Sequence, residues 1–75
     1  MIKQYTFEEA RDAFAKQTEI TQRLIRRFAS QRLIAHGAAE VGSSDINHEM
    51  HNIYSEYAGD YEDAVMDFVN IYLIK

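Results

Sequence analysis

Apolar side chains return at helical intervals in three stretches of this chain, each opened by a residue able to cap a helix. The first begins at Thr6, where Glu9 three residues later completes a capping-box pattern. At ~100° per residue, Phe7, Ala10, Phe14, Gln17, Thr21, Leu24, Phe28, Gln31 and Ala35 share one stripe, spaced alternately by three and four as in a heptad seam. The pattern predicts a long N-terminal helix that stops at His36 before Gly37, or frays on through residues 38–41. Gln17, Thr21 and Gln31 are polar seam positions, however, and Thr18 is itself an N-cap type, so a break near Thr18 is the alternative. Asp12 and Lys16, and Glu19 and Arg23, stand four apart in acid-then-base order on the other face.

Gly42, Ser43, Ser44 and Asp45 read as a loop ending in N-cap residues. The second pattern follows as Ile46, Met50, Ile53, Tyr54 and Tyr57, a narrow apolar stripe with His48, Glu49, His51, Asn52, Ser55 and Glu56 opposite. Gly59 ends it, and Asp60 opens the third, with Glu62 and Asp63 in the first turn, where carboxylates favour the positive helix end. Tyr61, Ala64, Val65, Phe68, Val69, Ile71 and Tyr72 make a broad arc, widened by Met66 and Leu73. Such an arc is either central to the domain or covered by another chain. Residues 71–74 are also compatible with a strand paired with residues 2–5. Gly37, Gly42 and Gly59 each stand where a helical pattern stops, as helix C-caps do.

These elements predict an all-α, compact bundle over residues 1–75, of three helices or of four if the first pattern breaks. At 75 residues the chain is one domain and buries roughly 60% of its unfolded surface, too little for a deep walled cavity. With 47% hydrophobic residues it is no disordered tail. The absence of cysteine excludes disulfides and cysteine-ligated zinc. No apolar run resembles a signal peptide or a membrane span, so the expected compartment is the cytoplasm.

Charge changes the picture most. Residues 1–39 hold seven bases against four acids, a balance of +3; residues 40–75 hold eight acids and one base, a balance of −7. Glu49, Glu56, Asp60, Glu62, Asp63 and Asp67, with Tyr54 and Tyr57 among them, are the candidate partner-binding residues, since tyrosine buries area at interfaces yet keeps a polar tip. An acidic surface of this kind is able to imitate the phosphate track of nucleic acid and dock on a basic groove of another protein. Homodimerisation is expected through the third helix, at Phe68, Val69, Tyr72 and Leu73.

No nucleophile–base set, phosphate loop or buried carboxylate pair is visible, so no catalytic residue or cofactor is assigned. Asp45, His48 and His51 are ligand types for zinc, but the histidines are three apart where the familiar zinc helix uses four; no metal is expected. Glu49 and Glu56 are expected on an exposed face. Arg23, Arg26, Arg27 and Arg32 form the basic cluster, and a dimeric DNA-binding regulator using Arg23, Arg26 and Arg27 is the alternative function. The acidic chain as a whole disfavours nucleic acid as partner. A cysteine-free, acidic, tyrosine-rich helical chain of this size resembles, in class, the small inhibitors that phages and mobile elements make against host machinery. The sequence thus points to a non-enzymatic inhibitor or regulator of a protein with a basic surface.

Overall fold

Four α-helices build the computed structural model, which describes residues 5–73: α1 (Phe7–Ala15), α2 (Glu19–Ala35), α3 (Ser43–Glu56) and α4 (Tyr61–Phe68). The described residues contain no strand. The start of α1 follows from its capping box. The Thr6 amide donates to Glu9 Oε1 and the Glu9 amide to Thr6 Oγ1, both at 3.1 Å.

The long N-terminal helix does not form; the first pattern breaks at Thr18. The polar residues around the break explain why. Thr18 Oγ1 accepts from the Thr21 amide at 3.2 Å and caps a new helix. Gln17 Nε2 donates to the Ala13 carbonyl and Gln22 Nε2 to the Phe14 carbonyl, at 3.4 and 2.9 Å. The same carbonyls accept the Lys16 and Gln17 amides at 3.3 and 3.1 Å, so the side chains add second bonds where α1 ends. The break also resets the seam. On α2 the buried face is Ile25, Phe28 and Ala29, while Gln31 and Ala35 are exposed. Free of α2's axis, α1 packs across α3 and buries Ala10.

Helix α2 ends at Ala35 with His36 as its cap, and Gly37 follows at φ +96°, a conformation that side chains resist. Gly42 is a correction: at φ −90° it caps the start of α3, and Ser43 is already helical. Asp45 reaches back to accept from the Gly42 amide at 3.4 Å. The α3–α4 turn is left-handed at both Ala58 (φ +55°) and Gly59 (φ +78°). Tyr5 lies on this turn. Its hydroxyl donates to the Ala58 carbonyl at 3.0 Å, and its ring would sit 3.0 Å from a Cβ added at Gly59.

The core gathers Ile25, Phe28 and Ala29 from α2, Met50 and Ile53 from α3, and Tyr61, Ala64 and Phe68 from α4. Phe28 and Phe68 stack with ring centroids 5.2 Å apart. Helix α4 packs on both α2 and α3, and the chain continues from it as a π-helical turn, Val69–Leu73. Residues 71–73 are thus helical rather than strand; Ile74 and the proposed pairing segment 2–4 lie outside the described residues. No helix among the described residues is long and apolar enough to cross a membrane.

Phe68→Ala is expected to lower stability by about 3–5 kcal/mol, the cost of an aromatic removed from a packed core. Ile20→Ala, at a side chain 71% exposed, is expected to change it by about 0.5 kcal/mol or less. Urea unfolding followed by circular dichroism checks both.

Candidate docking face

The acidic residues of α3 and α4 divide into those the fold uses and those it leaves to solvent. Glu49 belongs to the first group and corrects the expectation of an exposed carboxylate: it is only 9% exposed. Arg32 Nε lies 2.8 Å from Glu49 Oε2, and Arg32 Nη1 lies 2.6 Å from Glu56 Oε2. Asn52 Nδ2 donates to the other oxygen of Glu49 at 3.2 Å, and the Arg32 guanidinium sits 5.7 Å from the Phe28 ring centroid. One arginine on α2 therefore holds two carboxylates two turns apart on α3. Arg32 is four residues beyond Phe28, beside a buried face; a cation there requires a partner, and that was the available signal. Glu56 keeps more than half of its side chain in solvent.

Other members of the predicted set also hold the fold together. Asp60 caps α4, its Oδ1 accepting from the Asp63 amide at 3.1 Å. Asp67 Oδ2 accepts from the Tyr57 hydroxyl at 2.7 Å, tying the end of α3 to the body of α4. Burial first, then the bond to Asp67 and its charge, push the Tyr57 phenol up to about 12. Tyr54 is half-buried between Tyr5 and Tyr61, with ring centroids 5.0 and 4.8 Å away, and its phenol is raised by burial, then by the charge of Glu9. Tyr61 is buried, donates to the Met50 carbonyl at 3.2 Å, and is raised mainly by desolvation.

What remains exposed is a mixed strip on α4. Glu62, Met66 and Val69 follow one flank at i, i+4 and i+7; Asp63 and Asp67 follow the next. Met66 is 64% exposed, and Ile71, Tyr72 and Leu73 continue the apolar surface beyond it. Sequence reasoning placed Met66 on the arc but not in the site. Phe68 is a further correction: it is in the core and unavailable to a second chain, whereas Val69 is half-buried and Tyr72 and Leu73 are exposed. No lysine or arginine occurs between Leu33 and Leu73, so neither α3 nor α4 carries one to balance these acids, and Arg32 of α2 pairs with Glu49 and Glu56.

The other sequence candidates separate. Arg23 pairs with Glu19 at 3.0 Å in solvent, Arg26 lies over Phe14 at 5.3 Å, Arg27 is exposed, and Arg32 is engaged with α3. His51 Nε2 lies 2.6 Å from the Tyr5 carbonyl, which can only accept, so that nitrogen carries the proton. His48 is exposed beside Phe7. Asp45 is occupied by the Gly42 amide. Among the described residues no group of three or more histidines, aspartates or glutamates is placed to hold a metal ion.

Comparison with protein-family models, with curated proteins and with solved structures finds no match to this chain.

Arg32→Ala is expected to destabilise by about 3 kcal/mol, because it leaves Glu49 buried without its counter-charge. Arg23→Ala is expected to cost less than about 1 kcal/mol, as for an exposed pair. Denaturant midpoints of the two variants check the contrast. Between about pH 10, where an unfolded phenol titrates, and about 12, the folded chain retains the Tyr57 proton that the unfolded chain has released. Stability is therefore full below this window and falls as pH rises through it. Tyr57→Phe is expected to flatten that fall, with Tyr61 sustaining the rest; denaturant titrations across the window measure the slope.

Proposed function

We propose that this chain is a non-enzymatic docking module of the cytoplasm, which binds a basic protein surface through α4 and acts as an inhibitor or regulator of that partner. The observation that supports it most directly is the strip of exposed Met66 and half-buried Val69 flanked by Glu62, Asp63 and Asp67, on a stretch without lysine or arginine. An apolar strip rimmed by one sign of charge favours a partner whose own apolar contact is rimmed by the other sign. Rim charges act mainly on association rate and salt dependence, the central apolar contact on residence time. Glu56 and Asp67 add field to this face while holding the fold. A groove that ordinarily receives nucleic acid is the kind of basic surface this strip suits, so inhibition by occupancy follows from the same chemistry.

A second reading has one feature in its favour. Helices α1 and α2 are joined by only residues 16–18, and α2 exposes Arg23, Arg26 and Arg27, an arrangement able to lay α2 against a phosphate backbone. Glu19 and the acidic balance of the whole chain oppose it.

The test uses a defined probe: a fluorescent amphipathic peptide of alternating leucine and lysine faces, titrated by anisotropy. Binding is expected to weaken between about 0.1 M and about 1 M salt, as the Debye length falls from about 10 to about 3 Å. Glu62→Lys with Asp63→Lys, and separately Met66→Ser, are expected to abolish it while the helical spectrum persists. Binding untouched by these changes overturns the proposal. Arg23→Glu with Arg27→Glu eliminating binding to a DNA duplex, in place of peptide binding, establishes the second reading. Sedimentation of the free chain decides whether a second copy covers the face instead: a dimer that Leu73→Asp dissociates would assign the strip to self-association.

A further inference from the structure

A second surface of the molecule, lined by none of the α4 strip, carries the opposite chemistry. Where α1, α2 and α3 meet above the start of α4 there is a pocket of about 200 Å³. Its apolar lining is Ala10 and Phe14 from α1, Met50 from α3 and Tyr61 from α4; Ala10, Met50 and Tyr61 are buried. Phe14 and Tyr61 meet edge to face at 6.2 Å, so the wall is aromatic and held in place. The polar part is Arg11, Arg26, Asn47 and His51. Phe7, 40% exposed, stands at the same pocket.

Arg11 and Arg26 therefore both line one largely apolar pocket whose lining includes no carboxylate. Neither Arg11 nor Arg26 forms an ion pair among the described residues, in a chain whose net charge is −4. Arg26 is placed by its seat over the Phe14 ring. Both arginines are exposed, and an anion seated between them would gain a charge-assisted contact from each. A polar cleft of about 290 Å³ adjoins the pocket through Arg26 and Asn47, which line both, leaving room for a charged group beside the apolar space. An apolar cavity of about 150 Å³ accepts benzene, so this one has space for a single ring with a short acidic arm.

We propose that this pocket binds a small aromatic carboxylate, with the ring against Phe14, Met50 and Tyr61 and the carboxylate between Arg11 and Arg26. The guanidinium fork suits a carboxylate's two oxygens. The site is independent of the docking face, and its failure would leave that proposal standing.

The experiment is an amide-resolved NMR titration of the full chain with phenylacetate, its neutral counterpart phenylacetamide, and inorganic phosphate. Phenylacetate is expected to bind saturably with a dissociation constant of about 1 mM or below, shifting amides of Ala10, Arg11, Phe14, Met50 and Tyr61. Phenylacetamide is expected to bind at least about tenfold more weakly, as is phenylacetate to Arg26→Gln or Arg11→Gln, each loss matching one charge-assisted contact. Ala10→Leu, which fills the cavity from its wall, is expected to abolish binding; dispersed amide spectra show that each variant is folded. No saturable shift, or equal affinity for the amide and the carboxylate, overturns the proposal. Phosphate competing at the same residues with equal affinity also overturns it, because the ring would then contribute nothing.

Discussion

One face of α2 dictates the arrangement of α3 and α4. Ile25, Phe28, Ala29 and Arg32 stand at i, i+3, i+4 and i+7, so three apolar residues and one permanent cation point the same way. The apolar three need cover, and Met50, Ile53, Ala64 and Phe68 provide it. The cation needs an anion at the same depth, and among the described residues α3 supplies it. Glu49 and Glu56, two turns apart, bracket Ile53, so the residue that packs and the residues that neutralise belong to one surface. Paired buried charges contribute little net stability, but mispairing them is costly. Arg32 therefore adds a charge constraint to a register that the apolar residues also satisfy.

Local chemistry was legible in the sequence because it is local. The Thr6–Glu9 box, the end of α2 before Gly37 and the Asp60 cap each depend on residues within one turn, and each is found in the structure. The break at Thr18 was readable only as an alternative. Periodicity measures burial, whereas the break is held by hydrogen bonds from Gln17 and Gln22 to backbone carbonyls, which leave no periodic trace. Glu49 was misread for a related reason. A narrow stripe on α3 implies solvent opposite, but the partner that buries Glu49 lies seventeen residues earlier, on a helix whose buried face is out of phase with the heptad seam. The pocket was beyond reach, since Phe14, Arg26, Met50 and Tyr61 converge from four helices with no spacing rule between them.

The candidate acidic site shows how one composition serves two purposes. The excess of acid after residue 40 suggested a single surface, yet Glu49, Asp60 and Asp67 have partners that the fold requires. Under the proposed docking role, recognition would fall to the few side chains without such duties, Glu62 and Asp63 beside Met66. That division separates mutations that change docking from mutations that change folding, and it gives the two kinds of acid different tolerance to substitution.

The docking of α1 has a kinetic meaning. This helix fully buries a single residue, Ala10, packs mainly on α3, and reaches the core through half-buried Ala13 and Phe14. The Tyr5 latch to Ala58 spans most of the chain. Closing contacts over such separations carries a loop-entropy cost, and a segment with one fully buried residue has few contacts to set against it. Phe7, Ala10, Arg11 and Phe14 supply one wall of the pocket, so the cavity exists only while α1 is closed. Occupancy and closure are consequently linked equilibria: whatever fills the pocket lengthens the lifetime of the closed helix, and whatever frees α1 empties the pocket.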